Sequence, residues 1–208
     1  MAFPAFGVAI AQSAPASNSS AAAATAAKPV AEPAPKGPNS HDVDFMAGMI
    51  GHHAQALIMA GWAPSHGASS SVRVLAERIV NEQQDEIATM QQWLRDRNQP
   101  VPDAHTPGMR MKMNGVEHVM LMPGMLTDEQ MKQLDAARGA EFDRLFLTYM
   151  IQHHKGAVSM VTELFATDGA AQENLVFKLA SDVGVDQTTE IARMERMLAA
   201  MPGSKAAQ

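Results

Sequence analysis

Residues 42–60 read DVDFMAGMIGHHAQALIMA, and residues 143–161 read DRLFLTYMIQHHKGAVSMV. Asp42, Phe45, Met49, Ile50, His52, His53, Ala56 and Met59 thus return as Asp143, Phe146, Met150, Ile151, His153, His154, Ala157 and Met160. An α-helix brings positions three and four apart onto one face, so Phe45, Met49, His52, Ala56 and Met59 form one stripe and their counterparts form its twin. Both stripes have the character of a core except for the imidazole between two thioethers. A buried neutral imidazole needs partners for both ring nitrogens. A metal ion is one such partner.

The duplication extends beyond these stretches. Aligning Leu75–Leu94 with Leu179–Leu198 superposes Gln83, Glu86, Ile87 and Met90 on Gln187, Glu190, Ile191 and Met194. Each half therefore pairs a histidine-bearing helix with a partner helix. The first helix is expected from about His41 to Trp62, with Asn39, Ser40 and Asp42 as candidate caps, and the second from Ser69–Ser71 to about Asn98, before Pro100 and Pro102. Thr127 with Gln130 reads as a capping box opening a third helix. That helix bends or breaks at Gly139 and carries the second histidine pair to about Ala166. A last helix spans about Gln172 to Ala200. Two such hairpins bury their apolar stripes best against each other, which predicts an all-α, four-helix bundle with both histidine pairs directed inward. The boundaries are 41–98 for repeat one, 99–126 for a Met-rich connecting loop and 127–201 for repeat two, within a bundle spanning 41–202. The Gly and Pro content of the loop argues against regular structure there.

Composition narrows the chemistry. The formal net charge is −6, and Lys28, Glu32 and Lys36 are the charged residues of the first forty, so no basic surface remains for nucleic acid. Cysteine is absent while methionine occurs 17 times. Thiolate sites, disulfides and covalent haem attachment are thereby excluded. Thioethers bind soft ions without a thiol's reactivity in an oxidising compartment. Residues 1–11 are apolar and end in Ala9-Ile10-Ala11, which resembles a signal-cleavage site, and residues 12–40 are an Ala/Ser/Pro tract with little to bury. Residues 1–40 are thus read as a signal-like remnant and linker, and the protein as periplasmic or secreted, although the positively charged start of a signal is missing. No run reaches the ~20 apolar residues of a membrane-spanning helix.

The pattern D-x-x-F-x-x-x-M-I-x-H-H-x-x-A at Asp42–Ala56 and again at Asp143–Ala157, with M-x-G-M at Met122, Gly124 and Met125, resembles the domain-of-unknown-function 305 family over residues 41–200. The resemblance implies a ferritin-like four-helix bundle, frequent export, and copper binding by Met and His in the manner of CopM-type members, with no established catalysis. Leu147 in place of Met46, and Lys155-Gly156 in place of Ala54-Gln55, imply unequal halves.

For the histidine pairs, duplication on equivalent faces beside Met favours ligation over a hydrogen-bonded core imidazole. Adjacent helix positions diverge by about 100°, so His52 and His153 are stronger candidates than His53 and His154. Met49, Met59, Met150 and Met160, with Met90 and Met194 on the partner helices, are either ligands or core filler. Met122 and Met125, together with Met109, Met111, Met113 and Met120, form either a soft-ion relay or a lid. Glu86 and Glu190, with Gln83 and Gln187, are candidates to orient the imidazoles. A di-iron oxidase would need Glu-x-x-His and a zinc protease H-E-x-x-H, and neither occurs. Two alternatives remain: a non-covalent haem bundle, and a metal-free, Met-rich interaction module, which could also self-associate as a homo-oligomer. The expectation is a non-enzymatic, exported copper-binding protein that sequesters copper ions, Cu(I) above all, or exchanges them with an acceptor or donor protein.

Overall fold

The computed structural model describes residues 38–113 and 116–202, with side-chain detail outside 110–118; the expected signal remnant and nearly all of the linker lie outside the described residues. Helix α1 spans Ser40–Gly61 and α2 spans Ser70–Asp96. Strands β1 (Met109–Met113) and β2 (Val116–Met120) follow, then α3 (Asp128–Ala136), α4 (Gly139–Ala166) and α5 (Asn174–Ala199). α1 pairs with α2 and α4 with α5, and the two hairpins meet through α1 against α4. The expected all-α four-helix bundle is present, with each histidine-bearing helix at its centre.

The helix ends follow local chemistry. Asn39 caps α1 by accepting from the backbone N–H of His41 at 2.9 Å. Thr127 and Gln130 form the expected capping box of α3, and the chain breaks at Ala137–Arg138 so that α4 begins at Gly139. The motif aspartates do something the sequence did not suggest. Asp42 of α1 is buried and accepts from the backbone N–H of Ala171, in the turn between α4 and α5, at 2.7 Å. Asp143 of α4 reciprocates by accepting from the backbone N–H of Ser69, in the turn between α1 and α2, at 3.2 Å. Each hairpin thus pins the other's turn.

The expectation of irregular structure across 99–126 is corrected. Met109–Met113 and Val116–Met120 form an antiparallel pair in which Met109 faces Met120. Met at alternate positions is a strand pattern, and the intervening Asn114-Gly115 is the dipeptide best suited to a two-residue hairpin. The surrounding Gly and Pro masked that signal.

The segment from Gly108 to Leu126 crosses α1 and α4 as a strap. It touches α1 where Gly51 meets Gly108, whose N–H donates to the Gly51 carbonyl at 3.1 Å, and it touches α4 where Gly156 meets Pro123 and Gly124. A Cβ at either helix position would collide with strap backbone. Glutamines hold it at the complementary positions. Gln55 donates to the Leu126 carbonyl at 3.0 Å and accepts the Leu126 N–H at 2.7 Å, while Gln152 donates to the Gly124 carbonyl at 3.2 Å. Repeat one reads GHHAQ and repeat two QHHKG, so glycine and glutamine exchange places around each histidine pair. The departure at Lys155-Gly156 is therefore the space for a backbone crossing.

Two apolar layers close the bundle. One joins Phe45, Met46, Met49 and Ile50 to Ile87, Met90, Trp93 and Leu94, and to the far halves of α4 and α5. The other joins Ala56, Met59, Leu75 and Ile79 to Phe142, Phe146, Met150 and Met194. Between them, in sequence on every helix, lie the histidines and their partners.

Removing a turn clamp should be costly, since a buried hydrogen bond to a charged group contributes about 1.5–3 kcal/mol. Asp42→Ala and Asp143→Ala are each expected to lower unfolding free energy by about that amount in urea denaturation, and Gly156→Ala by about 1–3 kcal/mol through overpacking against the strap.

Candidate metal centre

α1 and α4 each contribute two adjacent histidines to the layer between the apolar zones, and all four are fully buried at 0% exposure. The His52 and His153 rings are in contact, with centroids 3.8 Å apart. Within each pair the rings lie 6.2 Å (His52–His53) and 6.3 Å (His153–His154) apart and tilted. The two histidines that the sequence favours as ligands, His52 and His153, are thus brought together.

The outer members face the partner helices. His53 Nε2 donates to Glu86 Oε2 at 2.7 Å, and His154 Nε2 donates to Glu190 Oε2 at 2.7 Å. The two repeats thus match at these outer positions. A carboxylate acceptor fixes the proton on Nε2, which leaves a basic lone pair on Nδ1. His52 reaches the same tautomer by a different route, donating from Nε2 to the strap carbonyl of Pro123 at 3.0 Å. The Nδ1 atoms of His52, His53, His153 and His154 have no hydrogen-bond partner, nor does His153 Nε2.

Every buried side-chain polar atom without a partner among the described residues belongs to this layer. Besides the ring nitrogens these are both amide atoms of Gln83 and Gln187 and one oxygen of Glu190. Gln83 and Gln187 therefore do not orient the imidazoles, contrary to expectation, whereas Glu86 and Glu190 do. An unsatisfied buried polar group costs about 1–3 kcal/mol, so concentrating them in one layer of an otherwise satisfied fold marks a ligand site.

Charge is arranged to match. Burial, with His53 beside it, lowers the His52 pKa from 6.5 to about 3. Burial, with His52, His154 and His53 adding, holds His153 well below its ordinary value. Both stay neutral and keep lone pairs available. Behind the outer pair, Glu82 and Asp186 lie near Glu190, with Arg78 paired to Glu82 among them, and burial raises the pKa of both Glu82 and Asp186.

No three His, Asp or Glu side chains among the described residues are placed to hold one metal ion. Zinc, calcium and magnesium sites draw on three or more such donors. What the layer offers instead is buried imidazoles in pairs, a donor set suited to a soft ion of low coordination number.

The methionines divide by position. Met49, Met59, Met90, Met150 and Met194 are fully buried within the two apolar layers, as core side chains are, and Met125, on the strap, is buried as well. Met122 and Met160, the latter also buried at the edge of an apolar layer, come together with Met109 above Gly48. Met111, Met113 and His118 have side chains outside the described residues.

Comparison with known proteins follows the same lines. The family model described as "Domain of unknown function (DUF305)" matches residues 42–198. A protein described as "putative secreted protein DUF305" from Streptomyces coelicolor is 30% identical, with a TM-score of 0.64 over 76% of this chain and 92% of that one. A DUF305 fragment from Deinococcus radiodurans is 26% identical, with a TM-score of 0.65 over 80% of this chain and 100% of that one. CopM in its Cu(I)-bound form is 26% identical, with a TM-score of 0.60 over 78% of this chain and 98% of that one, and CopM is also described in Cu(II)-bound and Ag-bound forms. No curated protein matches in sequence.

The depressed imidazoles set a pH dependence. Above pH 6.5 His52 is neutral both folded and unfolded, so its contribution is fully present; below 6.5 the unfolded chain takes up a proton that the folded layer refuses, until His52 itself protonates near pH 3. Stability should fall by at most about 1.4 kcal/mol per pH unit for each such imidazole. Urea midpoints measured from pH 7 to pH 5 are expected to decline, and His52→Gln or His153→Gln should flatten that decline.

Proposed function

The chain belongs to the DUF305 family, and from that premise and its buried imidazole layer we propose that it is an exported copper-binding protein that prefers Cu(I) and buffers the ion or hands it to an acceptor, without catalysing a reaction. The observation that carries the reading is the set of four unpartnered Nδ1 atoms enclosed between apolar layers. Cu(I) fits that enclosure better than a divalent ion, because the cost of burying charge rises steeply with charge and two imidazole donors suffice for it. The copper- and silver-bound forms of CopM support the same cargo. Silver is a soft monovalent ion like Cu(I).

Export is supported by the signal-like letters at 1–11, by the absence of cysteine and by the likeness to a relative described as secreted. No helix among the described residues is long and apolar enough to cross a membrane.

Ligand roles follow from the geometry. His52 and His153 are the central donors because their rings already meet, while His53 and His154 present Nδ1 with the Nε2 proton held by a carboxylate. Core methionines next to the layer supply polarizable surroundings.

Anaerobic Cu(I) titration against a competing chelator tests the reading. His52→Ala and His153→Ala are expected to weaken binding by more than tenfold, and Glu86→Gln or Glu190→Gln by about 10–100-fold, as carboxylates behind metal-bound imidazoles do. Unchanged affinity in all four variants would remove the histidine layer from the function.

A further inference from the structure

The ends of three methionines converge away from the histidine layer. From the point where a side chain on Gly48 would begin, Met122 Sδ lies 3.2 Å, Met109 Cε 3.3 Å and Met160 Cε 3.6 Å away. These residues come from three separate elements. Met109 opens β1, Met122 follows β2 on the strap, and Met160 belongs to α4, while the floor is a glycine on α1. Glycine is the residue that leaves room there, because any larger one would compete with the three thioethers for the same space.

The cluster borders a cavity of about 390 Å³, lined also by Met120, His41, Asp44 and Glu163. Met120, the strand partner of Met109, is 46% exposed, so the cavity communicates with solvent. Asp44 and Glu163 place negative charge at its edge, which raises the local concentration of cations. Gly48 and His52 are four residues apart on α1, one helical turn, and so lie on the same face.

We propose that Met109, Met122 and Met160, seated over Gly48, form a thioether site for a soft monovalent cation, Cu(I) or Ag(I), distinct from the buried histidines and one helical turn nearer to solvent. Three thioethers are a donor set for soft ions and a poor one for Zn²⁺ or Ca²⁺. The site takes its cargo from the copper-binding reading above and adds where the ion is first held. Binding there needs no deprotonation and no change of oxidation state, since a thioether carries no proton. Passage to His52 is an exchange of one lone pair for another. The strap that covers the histidines also delivers two of the three sulfurs, so one segment both encloses the inner donors and presents the outer ones.

The test uses the full chain labelled with ¹³C at the methionine ε-methyls and titrated with Ag(I) in chloride-free buffer, the three signals being assigned from single Met→Leu variants. The first equivalent is expected to shift the methyls of Met109, Met122 and Met160 together. The Met109→Leu/Met122→Leu/Met160→Leu variant should then bind one Ag(I) fewer while the His52 and His153 ring signals still respond. If Ag(I) moves those ring signals in the wild type but leaves the three methyls in place, the thioether site is wrong and the histidine reading stands. If neither set moves, both fall. An unchanged Ag(I) count in a folded triple variant also overturns the proposal.

Discussion

The structure depends on burying four imidazoles, one carboxylate and two amides, with a second carboxylate half-buried beside them, in one layer of a helical bundle. Apolar layers on both sides make that arrangement rigid and expensive, because polar atoms there have no water to turn to. The fold answers part of the demand itself: Glu86 and Glu190 accept from the outer imidazoles, and the Pro123 carbonyl accepts from His52. What is left unpartnered includes the Nδ1 atom of every one of the four rings, together with His153 Nε2, the Gln83 and Gln187 amides and one Glu190 oxygen. A sequence optimised for stability alone would fill these positions with Leu and Ile. Their presence as nitrogen donors, with His52 and His153 held neutral by burial, is the physical basis of the copper reading.

The strap makes the two halves unequal while leaving the layer nearly symmetric. It needs close backbone approach at one place on each histidine helix, and it needs an amide to hold it at another. The exchange of glycine and glutamine between GHHAQ and QHHKG supplies both without disturbing the histidines between them. One result is that the Nε2 proton of His52 is held by strap backbone, whereas that of His53 is held by a helix side chain. Movement of the strap therefore acts on the inner pair first.

Much of this was legible in the letters. The repeated D-x-x-F and M-I-x-H-H patterns, the helical period of the partner segments and the Thr127–Gln130 box defined the bundle and the inward direction of both histidine pairs. The second repeat made Glu86 and Glu190 candidates to orient the imidazoles, together with Gln83 and Gln187, and the two carboxylates accept from the outer rings. The reach of Asp42 and Asp143 into the opposite hairpin was not legible, since their bonds span 129 and 74 positions and end on backbone N–H groups, which sequence does not distinguish. The hairpin was missed because turn-forming residues around it outweighed the alternation within it. Met109 was missed as a partner of Met122 and Met160 because its place over Gly48 follows from strand register, and the stripe methionines drew attention that belongs to the core. Gln83 and Gln187 shared the period of Glu86 and Glu190, but an amide one turn away on the helix does not reach the same ring.

The crossed aspartate clamps have a consequence for assembly. A lone hairpin of this design would leave its own aspartate without a partner and its own turn without an acceptor, but two copies related by a twofold axis could complete each other in the same way. The chain is thus organised like an isologous dimer whose subunits have been tethered, and the tether replaces a concentration-dependent encounter with an intramolecular one. Once joined, the copies were free to diverge, and the strap shows where they did.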